Sequence, residues 1–238
     1  MNCNFDVYRF ESIDSTNSEA RRRMNKGISL PALFIAESQT EGRGRRGRTF
    51  YSQGGVYMTA AFKISEGDLV FITTKAAVAV SEAIESLIDV KVDIKWVNDI
   101  YLNGLKICGI LCESVRDPET SEIKGVIIGV GINLNVIDFP KELTNIAGNL
   151  SAEGITAENL AFAVMEKLYE ILESHRDFTH EYKKRSLVLG RGIVYEKNGM
   201  KISAMAEDID RRGGLVVRNQ DGSLDTLTSG EITLRITK

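Results

Sequence analysis

Four arginines and three glycines interleave in seven residues, Gly42-Arg43-Gly44-Arg45-Arg46-Gly47-Arg48. Glycines let a backbone pass close to a ligand and expose its amides, while each arginine brings a forked, permanently charged donor for phosphate or carboxylate oxygens. The pattern predicts an anion-binding loop. It is not a P-loop, because the Gly-Lys-Ser/Thr ending is missing. Gly42, Gly44 and Gly47 meet the spacing G-x-G-x-x-G, yet no acidic ribose ligand follows about 20 residues on, as a dinucleotide fingerprint would need. Taken alone, the segment serves a solvated basic loop or a nucleic-acid contact equally well.

Three further groups of residues carry chemical potential. Lys95-Trp96-Val97-Asn98-Asp99 precedes Lys106, which follows directly on the Asn103-Gly104 turn signal; a hairpin there would fix its ammonium group on a rigid element. By itself Lys106 reads as an ordinary exposed lysine. Asp14-Ser15-Thr16-Asn17 leads into Glu19 with capping-box spacing, so that Thr16 caps a helix and Glu19 reaches back to its amide. Gly129-Val130-Gly131-Ile132-Asn133 closes an apolar run with alternating glycines. Trp96 reads as a core or pocket-wall aromatic and Arg21-Arg22-Arg23 as a solvated helix face. His175 and His180 receive no role.

These residues need elements to hold them. Tyr8–Ser12, Leu33–Glu37, Gly55–Lys63, Val92–Trp96, Ile100–Leu102, Leu105–Ile107 and Lys124–Asn133 have strand character. A helix is expected from Thr16 to Lys26, stopped by Gly27, and longer buried helices over Leu69–Ile88 and Ala157–His175. Past Lys184-Arg185 the texture changes to short strands, Gly190–Tyr195, Lys201–Glu207, Leu215–Arg218 and Thr233–Ile236, separated by Gly-containing turns. A small all-β domain of barrel type is therefore expected from Ser186, giving domains of residues 1–185 and 186–238.

Composition bounds the rest. With 43 % hydrophobic and 26 % charged residues in 238, the chain can bury a core without disulfides. Cys3, Cys108 and Cys112 cannot all pair and match no zinc spacing, which places the protein in a reducing, cytoplasmic compartment. The longest uncharged stretch, Gly125 to Ile137, is too short to cross a bilayer, and the N-terminal residues lack a secretory pattern. A formal charge of −3 argues against broad affinity for nucleic acid.

The four motifs, Asp14-Ser15-Thr16-Asn17, Glu37 to Arg48, Lys95 to Asp99 with Lys106 and Gly109-Ile110-Leu111, and Gly129 to Asn133, stand in the order and spacing of biotin protein ligases, and the sequence resembles that family along essentially its whole length. The resemblance implies an α+β fold: a mixed-sheet catalytic domain of the biotin/lipoate ligase type and a small SH3-like β-barrel C-terminal domain. Repressor members carry an N-terminal helix-turn-helix domain; this chain opens on the catalytic motifs and resembles the ligase-only kind. The implied reaction has two steps: biotin and ATP, with Mg²⁺, give biotinyl-5′-AMP and pyrophosphate, and a lysine of a biotin carboxyl carrier protein then displaces AMP. The catalytic residues implied are Lys106, Arg43, Arg45 and Asp99. Lys106 faces the biotin carboxylate and α-phosphate, Arg45 retains the adenylate, and Asp99 orients the attacking amine or takes its proton. Biotin would be held by Ser15, Thr16, Asn17, Gln39, Gly42, Arg43, Gly44, Arg45, Lys106, Gly109, Gly129 and Gly131. The nucleotide would meet Arg43, Arg45, Arg46, Trp96, Asn98, Lys106 and Asn133. No metal ligands follow from the motifs, no membrane or nucleic acid is expected, and an uncovered sheet edge is compatible with a homodimer.

The sequence departs from the family at Val97, where proline is common and whose loss is expected to loosen the turn before Asn98. It departs again at Phe50, where tryptophan is common, and at Glu41, where a small residue is frequent. The C-terminal domain matches mainly through Ser229-Gly230-Glu231-Ile232, so no role is carried to its residues. The alternatives are a lipoate ligase or acyltransferase relative, against which the Arg/Gly loop and Lys-Trp-Val-Asn-Asp argue, and a nucleic-acid-binding module.

Overall fold

Strand-forming runs dominate the first 132 residues, and their apolar character decides which strand lies where. The computed structural model describes residues 4–48, 50, 54–136, 138–174 and 177–234. Seven strands, β1 (Asp6–Ile13), β2 (Ala32–Gln39), β3 (Val56–Phe62), β4 (Asp93–Lys95), β5 (Asp99–Leu102), β6 (Leu105–Arg116) and β7 (Ile123–Ile132), form one sheet in the order β1-β2-β3-β7-β6-β5-β4. Only β1 and β2 run parallel; every other neighbouring pair is antiparallel. The two most continuously apolar strands, β3 and β7, are paired at the centre, where both faces are covered.

The helices divide between those faces. α1 (Thr16–Asn25) buries Ala20 and Met24 against Phe34, Ala61 and Ile127, while α2 (Ile72–Leu87) and α3 (Ala157–Glu173) pack the opposite side against Met58, Ala60, Ile128 and Val130. α3 starts on a capping box in which Thr156 and Asn159 satisfy each other's backbone amides. α1 is the shorter cover: it leaves the end of its face that carries Gly109 and Gly131 open.

Local outcomes depart from expectation where tertiary partners compete. The residue capping α1 is Ser15, with no side-chain bond. The Thr16 hydroxyl instead lies among Gln39 and Thr59, and Glu19 pairs with Arg22 and Arg23 at 2.8 and 2.7 Å. Arg21-Arg22-Arg23 is accordingly an ion-paired face: Arg21 meets Glu113, Arg22 meets Asp14, and Arg23 lies over the Tyr8 ring. The expected helix over Leu69–Ile88 is split into a 3-10 turn at Glu66–Phe71 followed by α2. The hairpin at Asn103-Gly104 forms with both residues at positive φ, and its second strand, β6, runs on to Arg116.

Past α4 (Thr179–Lys184), a helix that periodicity did not reveal, the chain at Arg185–Leu187 lies beside β4 and then enters an antiparallel sheet. Its strands are β8 (Gly192–Lys197), β9 (Met200–Ile209), β10 (Leu215–Asn219), β11 (Leu224–Leu227) and β12 (Ile232–Leu234), in the order β11-β10-β9-β8-β12. β11 went unpredicted because Asp221-Gly222 and the polar run after it read as one long turn. The expected last strand begins one residue earlier than Thr233, and residues 235–236 lie outside the described ones. The smaller sheet is seated on the larger by Trp96, whose indole N–H donates to the Gly213 carbonyl at 3.0 Å, and by a Lys183–Asp208 ion pair of 2.6 Å.

Candidate active site

A cavity of about 390 Å³ opens where α1 stops covering the sheet. Its floor is set by strand register. Thr59 on β3 lies opposite Gly129 on β7, which lies opposite Leu111 on β6; two residues along, Tyr57, Gly131, Gly109 and Asp99 form a second rung. Each glycine clears space for a side chain above it. A methyl group on Gly129 would stand 2.2 Å from Asn17 Oδ1, and one on Gly131 would stand 2.5 Å from the Phe50 ring. Phe50 lies over the second rung, edge-on to Tyr57.

The inner end is a continuous polar network in an otherwise buried setting. Gln39 Oε1 accepts from the Thr16 amide at 2.9 Å and lies 3.1 Å from its hydroxyl. The Thr59 hydroxyl donates to Asn17 Oδ1 at 2.6 Å and lies 2.8 Å from the Thr16 hydroxyl. Asn17 Nδ2 donates to Glu113 Oε2 at 2.9 Å, and Glu113 is held by Arg21 at 2.8 Å. Such a side holds a ligand's polar ring by hydrogen bonds fixed in advance.

Cations gather at the outer end. Lys106 Nζ lies 2.7 Å from Asp99 Oδ1, across the hairpin as the turn dictates. Arg45 donates to Asn98 Oδ1 at 2.8 Å, and Asn98 donates to the Ile110 carbonyl at 2.9 Å. The turn Trp96–Asn98 is held from outside: the Tyr182 hydroxyl donates to the Val97 carbonyl, and the Asn98 carbonyl accepts from Ile110. Buried partners do what a proline ring would otherwise do. Asp99 also raises the phenol of Tyr101 to about 12, behind the larger effect of burial. Arg43 is 3.7 Å from Glu41, and Arg48 reaches Glu231 of the smaller domain.

Of the residues singled out from sequence, Ser15, Thr16, Asn17, Gln39, Arg43, Gly44, Arg45, Trp96, Asn98, Asp99, Lys106, Gly109, Gly129 and Gly131 line this cavity together. Gly42 lies beside it, its carbonyl accepting from the Phe50 amide at 2.9 Å. Asn133 is not among the lining residues. Its amide donates to the Gly148 carbonyl at 2.8 Å, tying down the segment that follows β7. The side chain of Arg46, like His175 and Cys3, lies outside the described ones. Cys108 and Cys112 are free thiols, and burial holds both above the ordinary thiol value, Cys112 at about 12.

The sequence matches the Biotin/lipoate A/B protein ligase family over residues 9–133 and the Biotin protein ligase C terminal domain over residues 188–235. The chain belongs to the biotin/lipoate A/B protein ligase family. Its curated relatives include the bifunctional ligase/repressor BirA of Bacillus spizizenii, 34 % identical over 93 % of this chain and 72 % of that protein. They also include the biotin–[acetyl-CoA-carboxylase] ligase of Paracoccus denitrificans, 36 % identical over 88 % of this chain and 92 % of that one. Among solved structures, the biotin protein ligase of Aquifex aeolicus in complex with biotin and ATP superposes with a TM-score of 0.81 at 26 % identity, covering 98 % of this chain and 99 % of that one.

In this member of the family, residues that motif reading did not assign join the inner network and the outer wall. Thr59 and Glu113 complete the inner network although neither stands in a motif; strand alternation points both to the same face, but only the sheet register places them beside Asn17. Gly230, Glu231, Ile232 and Thr233 line the outer end from the smaller domain. The Ser229-Gly230-Glu231-Ile232 match was the signal for them.

Proposed function

We propose that the chain is an ATP-dependent biotin protein ligase, which converts biotin and ATP to biotinyl-5′-AMP and passes the biotinyl group to a lysine. The observation that carries the reading is one cavity joining a neutral hydrogen-bonding end to a cationic end that includes Lys106, Arg43 and Arg45. Biotin has a matching polarity: a ureido ring at one end and a carboxylate at the other.

In the first step a carboxylate oxygen attacks the α-phosphorus and pyrophosphate leaves. Two anions must meet, and preset positive charge lowers the cost of that approach. Lys106 supplies it, drawn from Asp99 toward the carboxylate and α-phosphate, while Arg43 and Arg45 from the loop face the phosphates. Mg²⁺ fits as the companion of the nucleotide. The described residues hold no group of three Asp, Glu, His or Cys side chains suited to a metal, and Asp99 and Glu231 are the carboxylates on the cavity wall. Those carboxylates would hold it beside the nucleotide, and when bound it would neutralise phosphate charge. In the second step the acceptor amine attacks the acyl carbon, AMP leaves, and the amine's proton passes to a base. Asp99 becomes available for that role once Lys106 has left it.

The mixed anhydride must be kept from water between the steps. Arg45, tied to Asn98, and Arg48, tied to Glu231, connect the Gly42–Arg48 segment to both sides of the cavity. The acceptor is proposed to be the biotin carboxyl carrier domain of a biotin-dependent carboxylase. The division into residues 1–185 and 186–238 and a cytoplasmic setting belong to the same proposal; no helix among the described residues is long and apolar enough to cross a membrane. Mass spectrometry of a carrier domain incubated with the protein, biotin and Mg-ATP tests it. One biotinyl group on one lysine is expected, and an unmodified carrier together with no biotin heat in calorimetry would refute the assignment.

A further inference from the structure

We infer that Glu113, clamped by Arg21, is a positioning residue that sets the direction of hydrogen bonding at the biotin end of the cavity. The inference rests on the ligase reading and concerns residues outside its motifs. The Asn17 amide has two faces. Nδ2 points at acceptors alone, Glu113 Oε2 at 2.9 Å and the Leu111 carbonyl at 3.5 Å, and so Oδ1 must point at Thr59. The Thr59 hydroxyl has one proton, and the 2.6 Å contact to Asn17 Oδ1 takes it. Thr59 is wholly buried, and its oxygen lies 2.8 Å from the Thr16 oxygen; two hydroxyl oxygens at that distance need a proton between them. That proton is Thr16's.

Thr16 therefore spends its donor inward, toward Thr59, and offers the cavity lone pairs. A ureido ring meeting it presents N–H groups, so the polarity is the one a donor ligand needs. Were the Glu113 carboxylate absent, nothing charged would hold the amide, and Asn17 could turn over. Nδ2 would then donate to Thr59, the Thr59 hydroxyl would turn to donate to Thr16, and a Thr16 lone pair would be consumed inside the protein. Arg21 acts at one remove, since it holds the second oxygen of the same carboxylate at 2.8 Å.

Glu113→Ala is expected to weaken biotin binding about tenfold, the size of one lost hydrogen bond to a fixed partner. The KM for ATP and kcat at saturating biotin should stay within about twofold, a split that general damage would not produce. Glu113→Gln keeps an oxygen for Asn17 Nδ2 and should recover most of the affinity, as should Arg21→Ala, which leaves the carboxylate. In the ligand-free protein, the Asn17 side-chain amide protons should shift and exchange faster with solvent in Glu113→Ala only. Unchanged biotin affinity in a folded Glu113→Ala protein, parallel losses for biotin and ATP, or the same loss in Glu113→Gln would overturn the inference. The amide signals read the network without biotin. A wild-type protein that shows them as expected yet binds no biotin overturns the ligase reading and leaves the hydrogen-bond direction standing; unaltered amide signals in Glu113→Ala overturn the positioning role itself.

Discussion

The two ends of the cavity are built on opposite plans. At the inner end, Thr16, Asn17 and Thr59 sit on α1 and β3, are less than a tenth exposed, and bond to one another and to Gln39 and Glu113. At the outer end, Arg43 and Arg48 stand on a segment outside the sheet's strands and keep 60 % and 68 % of their side-chain surface in solvent. A neutral ring can be recognised by groups frozen in advance, because their desolvation is met by each other. A polyphosphate cannot be met that way: unpaired arginines buried ahead of their ligand would cost far more than they return. The loop arginines accordingly stand in water or on nearby carboxylates, Arg43 by Glu41 and Arg48 on Glu231.

Several substitutions would break or sharpen that contrast. Lys106→Ala removes a cation that a hairpin fixes beside Asp99, and pyrophosphate release should fall about 10²- to 10³-fold, with the fold unchanged by circular dichroism. Gly129→Ala attacks the inner end, since its methyl group would meet Asn17 Oδ1 at 2.2 Å. Biotin affinity should drop about tenfold or more, and urea unfolding should show a loss of about 1–3 kcal/mol. Arg45→Gly addresses the outer end. It should leave the unfolding free energy within about 0.5 kcal/mol, because Arg45 supports no core packing, while adenylate escapes and bystander lysines become biotinylated in mass spectra. If Arg45→Gly destabilised the protein as much as Gly129→Ala, the division into a frozen end and a free end would fail.

The smallest effect lies at the rim of the inner end. The hydrogen bond from Arg22 holds the Asp14 carboxyl at about 2, below its ordinary 3.8. A lowered value stabilises the folded state above the ordinary one and is lost as pH falls through the lowered one. Wild-type stability should therefore decline between pH 3.8 and about 2 by more than that of Asp14→Asn, read as the shift in urea midpoint. Identical slopes would show that the Arg22 pair contributes nothing.

Much of this was legible before any coordinates. Asn103-Gly104 forecast the hairpin and the position of Lys106 because positive φ at two successive residues is a local demand that few residues meet. The helix start at Thr16 was legible, but its capping was not: a capping box is worth about 1 kcal/mol, and a buried hydroxyl network plus two arginines outbid it for Thr16 and Glu19. What holds the turn at Val97 was not legible for the same kind of reason, since the bond comes from Tyr182 on α4, far along the chain. α4 and β11 were invisible because each is six residues or fewer and polar.

Residue types and their spacing were enough to place four arginines and three glycines in one loop, to put Lys106 on a hairpin, and to show that two differently textured units follow one another. Those are properties of neighbours along the backbone. Which glycine lies under Asn17, that Thr59 and Glu113 join it, and that Glu231 comes round to meet Arg48 were decided by sheet register and by the seating of one sheet on the other. Such pairings depend on the burial of whole faces, an energy summed over the molecule and carried by no short segment.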